Sequence, residues 1–112
     1  MDRLYLLEAF INSHPDPVVI TGVDHVVLYM NRAAKEFFKG GRELEGKSLF
    51  ICHNEESKRK LEIVLACLAE GEEEIRITDK PGQRTYMRAI RDSAGKLIGY
   101  YERYTYFPER IA

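Results

Sequence analysis

Apolar residues at Leu4, Leu7 and Ile11, with Phe10 beside them, recur at helical spacing and predict a helix over residues 2–12. The following SHPDP stops it, because a residue before proline is pushed out of the α region. VVITG (18–22) and VVLYM (26–30) are β-branched and predict two strands joined by a short turn through Asp24 and His25. NRAAKEFF (31–38) opens with an Asn suited to capping and continues with good helix formers up to an aromatic pair. Three glycines in KGGRELEGKSLF make residues 39–50 irregular, with short helical turns. Asn54 is the next N-cap, and Glu55 and Glu56 fall in the first turn, where the helix dipole favours acids. That helix runs to Glu70, is stopped by Gly71, and carries a stripe of Leu61, Val64, Leu65 and Leu68.

Beyond it the period changes from helical to alternating. EEIRITD, RTYMRAIR and LIGYYERYTYF predict three strands separated by turns at KPGQ and DSAGK. An antiparallel sheet with helices gathered on one face buries this order of elements most economically. The fold class is therefore α+β: five strands, helices on one face, and an added amphipathic helix at the N-terminus. On RTYMRAIR, alternation sets Thr85, Met87 and Ala89 against Arg84, Tyr86, Arg88 and Ile90. The first set is assigned to the interior, because two arginines there would need anionic partners. On the last strand Leu97, Gly99 and Tyr101 compete with Ile98, Tyr100 and Tyr104, and periodicity does not decide. Small side chains at Ala89 and Gly99 are expected to leave room over the sheet.

With 112 residues the chain is one domain with a core of useful size. Apolar residues at 45% and charged ones at 31% are ordinary for a soluble globular protein. The 17 basic and 18 acidic residues nearly cancel, so no global field favours nucleic acid or an anionic membrane surface. The apolar runs are too short to span a bilayer, and the N-terminus lacks a signal-cleavage pattern. Two cysteines, Cys52 and Cys67, are too few for a disulfide framework, which points to a reduced, cytoplasmic setting. No phosphate-cradling glycine loop, nucleophile elbow or metal-ligand quartet is present, so an enzyme is not expected.

PDPVVITGVDHVVLYMNRAAKEFF, then ELEGKSLF, then YMRAIRDSAGKLIGYYERYTYF together resemble the PAS sensory domain family, over roughly residues 12 to 107. The most specific pieces are the strand that runs into Asn31 at a helix start and the DSAGKLIGYYE hairpin. The resemblance implies a five-stranded antiparallel sheet cupped by short helices around a small-molecule pocket. It also implies one PAS domain over 1–112, with an N-terminal helix at 1–13, a core at 14–107 and a tail at 108–112. One departure lies at the first hairpin, where the family commonly has Asp-Gly and this chain has Asp24-His25. His tolerates positive φ better than most non-glycine residues, so the turn survives.

The resemblance also directs attention to Cys52-His53, at the start of the long helix, where PAS domains have the pocket mouth. Heme needs an apolar slot and axial donors such as His, Cys thiolate or Met. The usual oxygen-sensor ligand position falls near Lys60, which cannot serve. Carbon monoxide sensors of the family pair His with Met or Cys, and His53 with Met87 or Cys52 makes such a set. Covalent attachment is not indicated, since Cys-x-x-Cys-His is absent. Flavin is set aside: after Gly46 the chain reads KSLFIC, with Ser48 near the photoactive Cys position and no Asn and Gln to hold the ring. A chromophore attached to Cys52 is more remote, as nothing identifies residues to hold its phenolate.

The expected site thus comprises His53 as heme axial ligand, Cys52 and Met87, with Leu61, Val64, Leu65, Ala89 and Asn31 around the pocket. Plainer readings stand beside each: His53 as a polar helix-start residue, Cys52 as a small buried hydrophobe, Met87 as core filler. Cys67 reads as packing, and His14 and His25 as turn residues. SKRK (57–60) reads as solvated surface offset by EGEEE (70–74). The functional expectation is a stand-alone sensor that binds a small molecule, heme favoured. It would signal through its N-terminal helix and sheet to a second copy and a downstream protein, without nucleic acid or membrane. The rivals are a ligand-free interaction or dimerisation module, suggested by the surplus apolar residues of helix 2–12, and a thiol redox switch at Cys52, whose pKa a helix N-terminus lowers.

Overall fold

The computed structural model describes residues 1–38 and 44–106, apart from the side chains of Cys52 and Tyr106. The elements are α1 (Arg3–Ser13), β1 (Val19–Gly22), β2 (Val27–Met30), α2 (Arg32–Phe37), a 3-10 turn (Leu49–Cys52), α3 (Glu55–Ala69), β3 (Glu74–Lys80), β4 (Gln83–Arg91) and β5 (Leu97–Tyr106). The expected order holds, with boundaries moved by a residue or two. The tail expected at 108–112 lies outside the described residues.

The five strands form one antiparallel sheet in the order β2-β1-β5-β4-β3. Strand β5 is central and joins the two ends of the chain: its N-terminal half pairs with β1, and its whole length runs along β4. Helix α3 packs a stripe of Leu61, Val64 and Leu68 onto this sheet, against Val19, Met30, Met87 and Tyr100. Thr85 and Met87 are buried and Ala89 packs against the core, so the interior set assigned from alternation is the observed one. Arg84, Arg88 and Arg103 face the other side, where Glu74 pairs with Arg103 through two 3.0 Å hydrogen bonds.

Bulges explain why periodicity did not decide β5. Between Ile90 and Arg91 the partner jumps from Gly99 to Leu97, leaving Ile98 as an extra residue. A single extra residue reverses the inward parity, so Leu97 and Tyr100 both reach the core while Ile98 lies exposed. The same happens on β2, where Thr21 pairs with Val27 and Leu28 bulges outward.

Gly99 does not open space over the inner face, as its small size had suggested. A Cβ there would lie 2.7 Å from the Thr21 carbonyl oxygen, so its role is to let β1 approach. His25 takes φ of 67°, the left-handed conformation that the hairpin requires.

Two Asn side chains fix the helices. Asn31 Oδ1 accepts from Ala34 N–H, capping α2, and from Val18 N–H, both at 2.9 Å. Its Nδ2 donates to the carbonyls of Ile11 and Asp16 at 3.1 and 3.0 Å. Asn54 Oδ1 accepts from Ser57 N–H at 2.8 Å and starts α3. Helix α1 is held by its last turn only: Arg3 through Phe10 are exposed, among them Leu4, Leu6, Leu7 and Phe10.

Candidate functional site

Three polar side chains of β5 share the inner face because they alternate along one strand: Tyr100, Glu102 and Tyr104. Glu102 lies in the middle of the sheet, with Val19 of β1 on one side and Met87 of β4 on the other. A carboxyl is an unusual occupant of such a row, since burial without pairing disfavours the charged form. The Tyr104 hydroxyl donates to Glu102 Oε2 at 2.7 Å. Oε1 accepts no hydrogen bond among the described residues, and the carboxylate forms no ion pair with them. Burial pushes the Glu102 carboxyl above the usual range, against the opposing pull of the Tyr104 hydrogen bond and the His53 charge.

Glu102 and His53 together line two adjoining hollows. One, of about 100 Å³, is bounded on its apolar side by Val19, Met30, Phe38, Leu44 and Leu49. The other, of about 210 Å³, opens toward Ser57, Lys60 and Leu61 of α3 and Ile77 and Thr78 of β3. Lys60 Nζ donates to the Ile77 carbonyl, which ties α3 to the edge strand.

His53 follows the 3-10 turn and precedes the cap of α3. Its Nδ1 lies 2.7 Å from the Leu49 carbonyl, which only accepts, so Nδ1 carries the proton. This contact fixes the ring plane, as a hydrogen bond from the second nitrogen does for ligating histidines. Half-buried, the imidazole borders both hollows.

The other sequence-named residues divide. Leu61 lines the larger hollow. Val64 is buried and Leu65 packs beside it, both in the core and lining neither hollow. Met87 is fully buried opposite Glu102 and lines neither hollow; Ala89 packs beside Tyr100. Asn31 spends its two acceptor and two donor positions on backbone groups, which makes it a structural rivet instead of a ligand contact. The side chain of Cys52 lies outside the described residues. Pockets for cofactors of drug size begin at about 300 Å³. The hollow beside His53 does not fit a porphyrin as it stands.

Sequence reasoning passed over Glu102 and His25. His25 is buried, stacked on Phe50 at 4.5 Å between ring centroids, and its Nδ1 shares a 2.8 Å hydrogen bond with the Tyr100 hydroxyl. Burial lowers its pKa from 6.5, against the raising effect of Glu62 and Asp24. Burial raises the Tyr100 phenol, helped by the Glu102 charge. The signal for Glu102 was available: once Tyr100 and Tyr104 are placed inside, the residue between them on the same parity must follow.

Among the described residues no cluster of three or more His, Cys, Asp and Glu could hold a metal ion. No described helix is long and apolar enough to cross a membrane. Among curated proteins none matches the chain in sequence. Solved structures similar to it include the following three. A C-terminal domain from Streptococcus mutans has a TM-score of 0.79 at 19% identity, covering 94% of this chain and 85% of that one. The PAS domain of BvgS from Bordetella pertussis has a TM-score of 0.65 at 20% identity, covering 98% and 90%. A sensory box sensor histidine kinase from Vibrio cholerae has a TM-score of 0.61 at 18% identity, covering 94% and 92%. At these identities the likeness is one of fold. The PAS fold family itself matches residues 11–110, nearly the whole chain. Strand order, helical face and family match agree, and the chain belongs to the PAS fold family, a class of sensing and signalling modules.

Proposed function

We propose that this protein senses a small molecule held between β5 and the start of α3, and passes the change to a partner. The observation that carries this reading is the hollow at Glu102 and His53, walled by Val19, Met30 and Leu49 of the apolar core. A ligand there would touch the sheet and the turn before α3 at once. Its binding would bias their relative position in proportion to its differential affinity for the two arrangements. A fragment screen followed by backbone NMR tests it: resonances of Val19, Leu49, His53 and Glu102 are expected to move first. Hits that shift only surface residues would remove the reading.

Heme is the narrower version. The fixed imidazole of His53 favours it, and the volume is against it, so hemin would require the interior to widen. A Soret band that shifts on binding and is lost in His53→Ala would support it. A thiol switch at Cys52 is tested by comparing its reactivity with that of the unfolded chain.

Output through α1 and the sheet is the second half of the proposal. Leu4, Leu6, Leu7 and Phe10 are 50–65% exposed, and Phe10 and Ile11 border an open groove of about 550 Å³ over Ile20, Ile90 and Tyr101 on the outer face. Exposed apolar surface of this extent marks an interaction site, and a second copy would cover it. Sedimentation of wild type against Phe10→Glu is expected to give a dimer and a monomer. The same surface would suit a ligand-free interaction module. We place the protein in the cytoplasm and assign it no catalytic step.

A further inference from the structure

The hollow beside Glu102 has a chemical character that narrows its occupant. Among the described residues its walls are apolar except at two places, Glu102 and His53. Water held in such a space finds only those two residues as polar partners among the described residues, the fewest it needs, and an apolar body with one polar head displaces it readily. Glu102 Oε2 is already occupied by the Tyr104 hydroxyl at 2.7 Å, whereas Oε1 accepts nothing among the described residues. Among the described residues the charged or titratable groups around it are few. His53 approaches from the turn before α3, Lys60 from α3 across the second hollow with its Nζ on the Ile77 carbonyl, and Tyr100 and Tyr104 from β5 itself. Val19 and Met87, its neighbours on β1 and β4, bring no charge. Among the described residues, the Glu102 carboxyl therefore borders an apolar chamber without a salt bridge, with His53 as the charge acting on it.

We propose that this chamber takes a small organic cation, a primary ammonium with a short branched apolar substituent, whose N–H donates to Glu102 Oε1 while its carbon skeleton lies against Val19, Met30 and Leu49. The inference deepens the sensor reading and rests on it. An anion is repelled by the carboxylate, and a neutral alcohol leaves it without a counter-charge. Filled to the density of a protein interior, about 100 Å³ holds only about four to six non-hydrogen atoms, the size of an isobutyl group and its head. A ligand this small binds no tighter than micromolar. Because Glu102 must be ionised to pair with it, affinity rises as pH rises through the elevated value of that carboxyl.

Three probes share a branched four-carbon skeleton and differ in the head: isobutylammonium, isobutanol and isobutyrate. Binding to the full chain is followed by thermal shift and by the carboxyl carbon resonance of Glu102, whose course with pH reports its protonation state. The expected result is that isobutylammonium binds about tenfold or more tighter than isobutanol where that resonance reports an ionised Glu102, loses that margin where it reports a protonated one, and moves the resonance toward its ionised position. Glu102→Gln is expected to reduce the amine to the level of the alcohol. Equal binding of alcohol or acid would overturn the cation and leave the sensor reading standing. Undiminished amine binding in Glu102→Gln would overturn it too. So would silence from all three probes, with the sensor reading then judged by its own fragment screen. The resonance of the wild-type chain decides the matter if the variant does not fold.

Discussion

Two ends of one strand face differ in a way that separates stability from function. At Tyr100, β5 presents a polar side chain into a sealed space: the hydroxyl meets His25, the ring lies across from His25 and beside Ala89, and the residue is fully buried. Two residues on, Glu102 presents a stronger polar group into a space that is not filled. Both sit at the same parity of the same strand, so alternation alone puts both inside. What differs is the partner. A buried polar group that is satisfied by its own chain holds the fold in one arrangement, and one that is left partly unsatisfied marks where something else can bind.

The sealed end carries the larger stability effects. Tyr100→Ala removes the largest fully buried side chain and leaves a cavity, with an expected loss of about 3–5 kcal/mol in urea denaturation. Leu49→Ala, in the wall of a hollow that already exists, is expected to lose no more than about 2–3 kcal/mol, the low end for this exchange. Equal losses would mean that the two ends are packed alike. Gly99→Ala follows in size. Its methyl would meet the Thr21 carbonyl at 2.7 Å, backbone that cannot swing aside, and the expected cost is about 1–3 kcal/mol.

Much of this was legible beforehand. The helix of Leu61, Val64 and Leu68, the inward Thr85 and Met87, and the positive φ of His25 follow from period and turn chemistry. So does the family, from ordered segments along the chain. The illegible parts have physical causes. Bulges at Leu28 and Ile98 each reverse the inward parity by one residue, and no alternation rule contains them. His25 was read as a turn residue because its backbone role is local, while its ring is placed by Phe50 and Tyr100, far along the chain. Glu102 was passed over because a charged residue between tyrosines is assigned to the surface by default. Asn31 was assigned to the pocket, yet its four hydrogen bonds join segments that only the fold brings together.

The two ends also carry opposite dependences on pH. His25 has a lowered pKa, so its contribution is present above its ordinary 6.5 and is lost as pH falls through the lower folded value. Glu102 has a raised one, so its contribution is present below the ordinary carboxyl value, about 4.3, and is lost as pH rises through the folded value. Stability measured from about pH 4 to about pH 8 for each variant, minus wild type, separates them. Glu102→Gln is expected to gain relative to wild type as pH rises. His25→Asn, which keeps a residue tolerant of positive φ, is expected to gain as pH falls. Parallel difference curves would mean that neither group titrates as its surroundings require.

The smallest expected effect tests whether the sealed end is fully satisfied. Thr21 pairs with Tyr100 across β1 and β5 and is wholly buried, yet its Oγ1 has no hydrogen-bond partner among the described residues. An unpaired buried hydroxyl costs free energy, and valine has nearly the same shape without the polar atom. Thr21→Val is therefore expected to leave stability unchanged or raise it by up to about 1 kcal/mol, with the His25 and Tyr100 rings undisturbed by NMR. A loss of about 1 kcal/mol or more would mean that the hydroxyl is bonded in solution, through water or through Tyr100. The contrast between the ends would then sharpen: Thr21 and Tyr100 would both be satisfied, while Glu102 Oε1 accepts no hydrogen bond from the described residues and is left for a ligand.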